Sequence, residues 1–194
     1  MSKINKEFYL RDDVVGISKE LLGKYIFTKF DNKLTGGIIT ETEAYEGISD
    51  KASHAYGGKR TKRTETMFSK GGVAYVYLCY GVHSLFNIVT NKKDIPHAIL
   101  IRSFKPTDGI DFMLERTGKT KLTNDFGTGP GKFSKALGIH FSHSGMDLSG
   151  NKIWLEDRGL KIDDKNIIAS TRIGIDYAEE DALLPYRFIV SKLK

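Results

Sequence analysis

Cysteine and proline are scarce in this chain. One of its 194 residues is a cysteine, Cys79, so no disulfide can form within it. That usage suits a reducing compartment, and an intracellular, cytoplasmic protein is expected. Four prolines are spread along the chain, with no internal repeat or low-complexity tract. Nothing marks a boundary, and one domain over residues 1–194 is expected. No apolar run approaches the roughly 20 residues of a membrane span. The opening "MSKINKEFYL" lacks the apolar stretch of an export signal, so no membrane association is expected. The signatures of metal chemistry are missing as well. His54, His83, His97, His140 and His143 form no H-E-x-x-H motif, and "HFSH" supplies two histidines without a third ligand. No metal and no cofactor are expected. "GTGPGK" lacks the Walker spacing and reads as the start of a helix.

What is present suits a packed core, with 40% hydrophobic residues. The formal net charge of +6 favours an anionic partner without naming one. In "DDVVGISKELLGK", Val14, Ile17, Leu21 and Leu22 recur at helical spacing between capping aspartates and Gly23. "YIFTKF" and "GGIITETEAY" read as strands paired across "DNK", and "YVYLCYGVHSLFNIV" as a hairpin. "AILIRSF" is a further strand. "TDGIDFMLERTG" predicts a helix capped by Thr107 and stopped by Gly118, and "GPGKFSKALGI" a short helix begun at Pro130. Late strands are expected at "KIWLE", "IIASTRIGI" and "YRFIV". Residues 46–72 form a polar, glycine-dotted loop of the length that functional loops have. Strands and helices without strict alternation predict an α+β domain around a mainly antiparallel sheet.

Several residues then ask for chemistry. In a strand "ITETEAY", Glu41, Glu43 and Tyr45 share one face. Either that face is exposed and carries ordinary surface charges, or a carboxylate stands beside an aromatic platform. Arg102 is a charge at the end of a buried-looking strand, and a glutamate on a neighbouring strand would serve as its partner. Asn87, polar within "SLFNIV", either satisfies backbone locally or reads a ligand. Cys79 reads as a small buried hydrophobe. Lys59, Arg60, Lys62 and Arg63 lie beside His54 and Tyr56, either as a solvated loop or as a phosphate-contacting surface. Tyr80 stands where the hairpin must reverse, a place that favours Gly, Asn or Asp.

Taken in order, "ETEAY", "SHAYGG", "YVYLCYG", "FNIV" and "ILIR" resemble the alkyladenine (3-methyladenine, methylpurine) DNA glycosylase family. The likeness runs from "LRDDVVGISKELLGK" through "GPGKFSKALGI" to "TRIGI". It implies a monofunctional hydrolase of base excision repair, working as a monomer on double-stranded DNA. Its substrates would be damaged purines: 3-methyladenine, 7-methylguanine, hypoxanthine and ethenoadenine. The resemblance implies that Glu43 activates a water, held by Arg102 and by a backbone carbonyl at Ile173. Tyr45, His54 and Tyr77 would clamp the flipped base, and Asn87 would line the pocket and screen out guanine at its 2-amino group. Tyr80, on a protruding hairpin, would intercalate into the duplex, and the basic cluster would meet phosphates. Two features depart from the family pattern. Arg63 is followed by Thr64 where an asparagine is common, and Val82 after the turn is small for a second wedge. A non-catalytic binder of damaged nucleic acid is the alternative, against which the presence of both Glu43 and Arg102 counts. A nucleoside hydrolase would need neither wedge nor basic loop.

Overall fold

A computed structural model describes residues 2–193. Nine strands join in one sheet: β1 (Ser2–Lys3), β2 (Tyr25–Phe30), β3 (Lys33–Tyr45), β4 (Ala74–Cys79), β5 (His83–Thr90), β6 (His97–Asp108), β7 (Ile153–Asp157), β8 (Ile167–Ser170) and β9 (Arg187–Val190). Every pairing between them is antiparallel. The helices are α1 (Lys6–Tyr9), α2 (Val14–Glu20), α3 (Ile110–Thr117) and α4 (Pro130–Leu137). This is the α+β class expected from the sequence.

The strand order is β1-β7-β2-β3-β6-β5-β4, with β9 joined to β3 and β8 to β9. The long β3 is the spine. Its first half pairs with β2, its last residues with β9, and its other edge with β6 along its length. The β2–β3 turn is Asp31-Asn32, with φ of 49° and 59°. Both side chains tolerate the left-handed region, which two-residue hairpins require.

The two faces of β5 and β6 have different uses. Phe86, Ile88, Ile99 and Ile101 point one way and pack with Val14, Ile17 and Leu21 of α2 and with Phe133, Ala136 and Leu137 of α4. The Asp13 carboxylate caps α2 by accepting the Gly16 N–H at 2.7 Å. Pro130 opens α4, where its missing N–H costs nothing. The opposite face carries Val89 and Ala98, continued by Tyr75 of β4, and against it Ala55, Met67 and Phe68 of the 46–72 loop pack. One face thus makes the core, and the other is left for a site.

Two expectations about elements change. Thr107 does not cap α3. It lies inside β6, because that strand runs on to pair Pro106 and Asp108 with Gly37 and Gly36, and Gly109 (φ 67°) makes the turn into the helix. "IIASTRIGI" is not one strand. Pairing with β9 ends at Ser170, and residues 171–175 leave the sheet towards the end of β3.

Candidate active site

Strand register builds one row of side chains. Tyr75 stands opposite Asn87, Asn87 opposite Leu100, and Leu100 opposite Glu43. Residues two positions along point the same way, which adds Tyr77, Leu85, Ala98 and Tyr45. Above this floor is a cavity of about 530 Å³, of the size that takes a small ligand. His54, Arg63 and Met67 of the 46–72 loop form one wall, and Ile173, Ile175 and Tyr177 another.

At the deep end β3 and β6 slip register twice. Ile39 faces Phe104, Glu41 faces Ser103, and Thr42 faces Ile101, which leaves Thr40 and Arg102 as unpaired residues. A bulge re-aims the side chain it carries. Arg102 is therefore a mid-strand bulge residue and does not end its strand. Its Nε donates to Glu41 Oε1 at 3.0 Å, and its Nη1 lies 3.3 Å from Glu43 Oε1. Ser103 Oγ (2.7 Å) and Arg187 Nη1 (3.1 Å) also donate to Glu41. Glu43 accepts the Tyr45 hydroxyl on Oε2 at 2.8 Å and the Ile173 N–H on Oε1 at 2.9 Å. The exposed-face alternative for these carboxylates does not hold, since Glu43 is 0% exposed. The glutamate partner sought for Arg102 is there twice.

The two carboxylates are pushed apart electrostatically. Burial raises the pKa of Glu43, and Arg102, the Ile173 N–H and the Tyr45 hydroxyl pull it back only in part, so it stays above the ordinary value. Burial presses on Glu41 as well, but there the bonds from Ser103, Arg102 and Arg187 win and hold it below. Glu41 is a fixed anion, whereas Glu43 has raised proton affinity, the property of a group that takes up protons.

Glu43 sits beneath the cavity, and Tyr45, Arg102 and Ile173, all bonded to it, are the residues that line the wall. Ile173 turns its N–H to Glu43, a contact that the resemblance did not imply.

The aromatic wall is built from His54, Tyr75 and Tyr77. The His54 ring meets Tyr77 edge-on, with centres 4.6 Å apart. Its Nδ1 is 2.9 Å from the Tyr75 hydroxyl, and Arg63 Nη2 lies 3.4 Å from its Nε2. Arginine only donates, so Nε2 accepts and Nδ1 carries the proton. Burial, then the charges of Arg63 and Lys59, lower the His54 pKa to about 4. Burial pushes the Tyr75 hydroxyl up to about 12. The wall is neutral at neutral pH.

The basic cluster divides. Arg63 points into the cavity, its guanidinium 5.0 Å from the centre of the Tyr77 ring. Arg60 is held by Glu65 (2.7 Å) and Asp94 (2.9 Å) and lies over Phe68. Arg60 is thus not the free surface cation expected of a phosphate contact, whereas Arg63 is exposed and has no ion pair among the described residues. Lys59 and Lys62 are exposed, with no ion pair among the described residues.

Asn87 is buried, and its amide donates to the carbonyl oxygens of Tyr75 (3.2 Å) and Leu85 (3.3 Å) while the residue also lines the cavity. Local satisfaction of backbone is what the structure realises. With both donors used, its oxygen is the polar atom left for a ligand. Cys79 is part-exposed at the rim and not a buried hydrophobe, because β4 runs beyond the covering loop.

Tyr80 and Gly81 make the reversal between Cys79 and His83, with φ of 51° and 71°, and the Val82 N–H donates to the Cys79 carbonyl at 3.1 Å. This is a primed hairpin turn with an aromatic residue in the left-handed region, where aromatics are uncommon. Tyr80 is 94% exposed, so no part of the described chain covers it. The sequence showed no sign of Arg187 as a partner of Glu41, or of Arg172, buried beside Ile173 and paired with Asp50. Distant charges meet there through folding alone.

A family model described as Methylpurine-DNA glycosylase (MPG) matches residues 7–194. A protein of Chlamydia felis is 44% identical over 191 residues, covering 96% of this chain and 95% of its own length. One of Clostridium novyi is 43% identical over 201 residues, covering 100% and 98%. Both carry the name "Putative 3-methyladenine DNA glycosylase".

Proposed function

The chain belongs to the methylpurine-DNA glycosylase family, and from that premise we propose that it is a monofunctional DNA glycosylase. It flips alkylated or deaminated purines out of double-stranded DNA and hydrolyses the bond between base and sugar. Its substrate class includes 3-methyladenine, 7-methylguanine, hypoxanthine and ethenoadenine. The observation that carries this reading is Glu43, a buried carboxylate of raised proton affinity at the floor of an aromatic-walled cavity.

In this mechanism the flipped base stacks on Tyr45, Tyr77 and His54, and Arg63 leaves the face of Tyr77 as it arrives. Tyr80 enters the duplex and stacks in the gap. Unstacking and unpairing cost a few kcal/mol, and each base–aromatic stack returns roughly 1–3 kcal/mol. Two stacks therefore offset most of the cost. An ionised carboxylate has about four acceptor positions. Tyr45, Ile173 and Arg102 use three of them on Glu43, and the Arg102 contact is the longest at 3.3 Å. A small withdrawal of Arg102 admits a water. Glu43 takes its proton as the water oxygen bonds to the anomeric carbon, and the electron pair of the broken bond leaves with the base. A purine made cationic by alkylation departs neutral and asks least of the enzyme. Until it is protonated, Glu43 also places negative charge near the cationic sugar. General base catalysis contributes about 10²–10⁴-fold.

The test is a duplex carrying one hypoxanthine, incubated with the protein and then treated with alkali. Wild type removes the base, so that alkali cuts the strand at the lesion, and Glu43→Gln binds the duplex but leaves the strand uncut by alkali. Binding without cleavage by wild type on every damaged purine would leave a non-catalytic binder in its place.

A further inference from the structure

Arg172 is a buried cation to which the proposed reaction gives no part. Its Nη1 donates to the Ala44 carbonyl oxygen (2.9 Å) and to Asp50 Oδ2. Its Nη2 donates to Asp50 Oδ1 (2.9 Å) and to the Asp181 carbonyl oxygen (3.1 Å). The guanidinium also lies 4.8 Å from the centre of the Tyr45 ring and 5.4 Å from that of Tyr186. One side chain thus joins the end of β3, the loop that follows it and the turn at Asp176–Leu183. Buried ion pairs are poor sources of net stability, and this one leaves the arginine Nε without a partner. What an arginine supplies at such a place is fixed geometry, because its donors lie in one rigid plane.

The next residue is Ile173, whose N–H donates to Glu43. The Ile173 side chain is 51% exposed and Gly174 has φ 74°, so neither locks that amide. It is held between buried Arg172 on one side and buried Ile175 on the other. Tyr45, the other donor of a hydrogen bond to Glu43, rests its ring against the same guanidinium. Two of the three groups bonded to Glu43 therefore depend on Arg172.

We propose that Arg172 is a positioning residue for base excision, holding the Ile173 amide and the Tyr45 hydroxyl on Glu43 so that the carboxylate stays ionised and aimed. The proposal rests on the reading of Glu43 as the general base. Hydrogen bonds to a carboxylate favour its ionised form, and on Glu43 they oppose the effect of burial. When the donors loosen, burial acts with less opposition. Arg172→Lys keeps the charge, but an ammonium with three donors cannot serve four acceptor oxygens from one plane.

The experiment is the pH dependence of single-turnover hypoxanthine excision from duplex DNA by wild type, Arg172→Lys, Asp50→Asn and Glu43→Gln. Arg172→Lys is expected to be slower by about 10- to 100-fold. Its acid limb should move up by about one pH unit, with duplex affinity near that of wild type. Asp50→Asn, which weakens the grip on the arginine, should move the limb less and in the same direction. A folded Arg172→Lys protein with an unmoved acid limb overturns the proposal. If that variant does not fold, an unmoved limb in Asp50→Asn overturns it instead. Glu43→Gln separates the two levels. Excision at the wild-type rate by this variant removes Glu43 as base and the proposal with it. A dead Glu43→Gln beside an unmoved Arg172→Lys limb removes the positioning role alone.

Discussion

Glu43 is buried and His54 half-buried, and folding has shifted their protonation in opposite directions. As the proposed general base, Glu43 must be ionised to accept a proton from water. Since burial raises its pKa above the ordinary 4.5, excision should fall to half on the acid side at a pH above 4.5, and a pH–rate profile measures this. Glu43→Gln should lower single-turnover excision by at least about 10²-fold while duplex binding persists. His54 works through stability. Its folded pKa is depressed to about 4 from 6.5. Between those values the unfolded chain takes up a proton that the folded protein refuses, so stability falls as pH drops from 6.5 towards 4. Replacing His54 with Asn should flatten this part of the profile, as read by denaturant unfolding at several pH values.

The β4–β5 hairpin breaks a local rule. A primed turn asks for Gly or Asn at the place held by Tyr80. Left-handed backbone costs a non-glycine residue about 1–2 kcal/mol, and the exposed ring recovers nothing from packing. Tyr80→Gly relieves the strain but pays the entropy of glycine in the unfolded chain, about 0.5–1 kcal/mol. Folding stability should therefore rise by up to about 1 kcal/mol. Excision from duplex DNA should fall about tenfold or more, since one stack of roughly 1–3 kcal/mol is lost. Excision from a single strand, which has no gap to fill, should change less. Equal losses on both substrates would take Tyr80 out of flipping.

At the scale of the molecule, the net charge of +6 says less than its distribution. Arg60 is neutralised by Glu65 and Asp94, Arg63 faces the cavity, and Lys59 and Lys62 stand in solvent. Only free cations release counterions when they meet phosphate. The logarithm of duplex affinity should fall linearly with the logarithm of salt concentration. Lys62→Ala should make that slope shallower by about one, and Arg60→Ala should leave it unchanged. A titration of affinity against salt for the three proteins decides this.

Much of the molecule could be read in the linear chain, because the features concerned are local. The period of two in "ITETEAY" and "YVYLCYG", the capped period of Val14, Ile17 and Leu21, and Pro130 opening α4 all depend on a few neighbouring residues. The shared face of Glu41, Glu43 and Tyr45 and the need of Arg102 for an anion follow from the same rules. The ordered motifs named the family. Folding decided what requires residues far apart to meet. A double register slip between β3 and β6 aims Arg102 at two glutamates. Residues 171–175 leave the sheet and bring an amide to Glu43 across 130 positions. Burial beneath Tyr45, Arg102 and Ile173 raises the pKa of Glu43, and no spacing along the chain encodes that. The division of the basic cluster has the same origin: a cation is free or spent according to which carboxylate or ring the tertiary structure sets beside it.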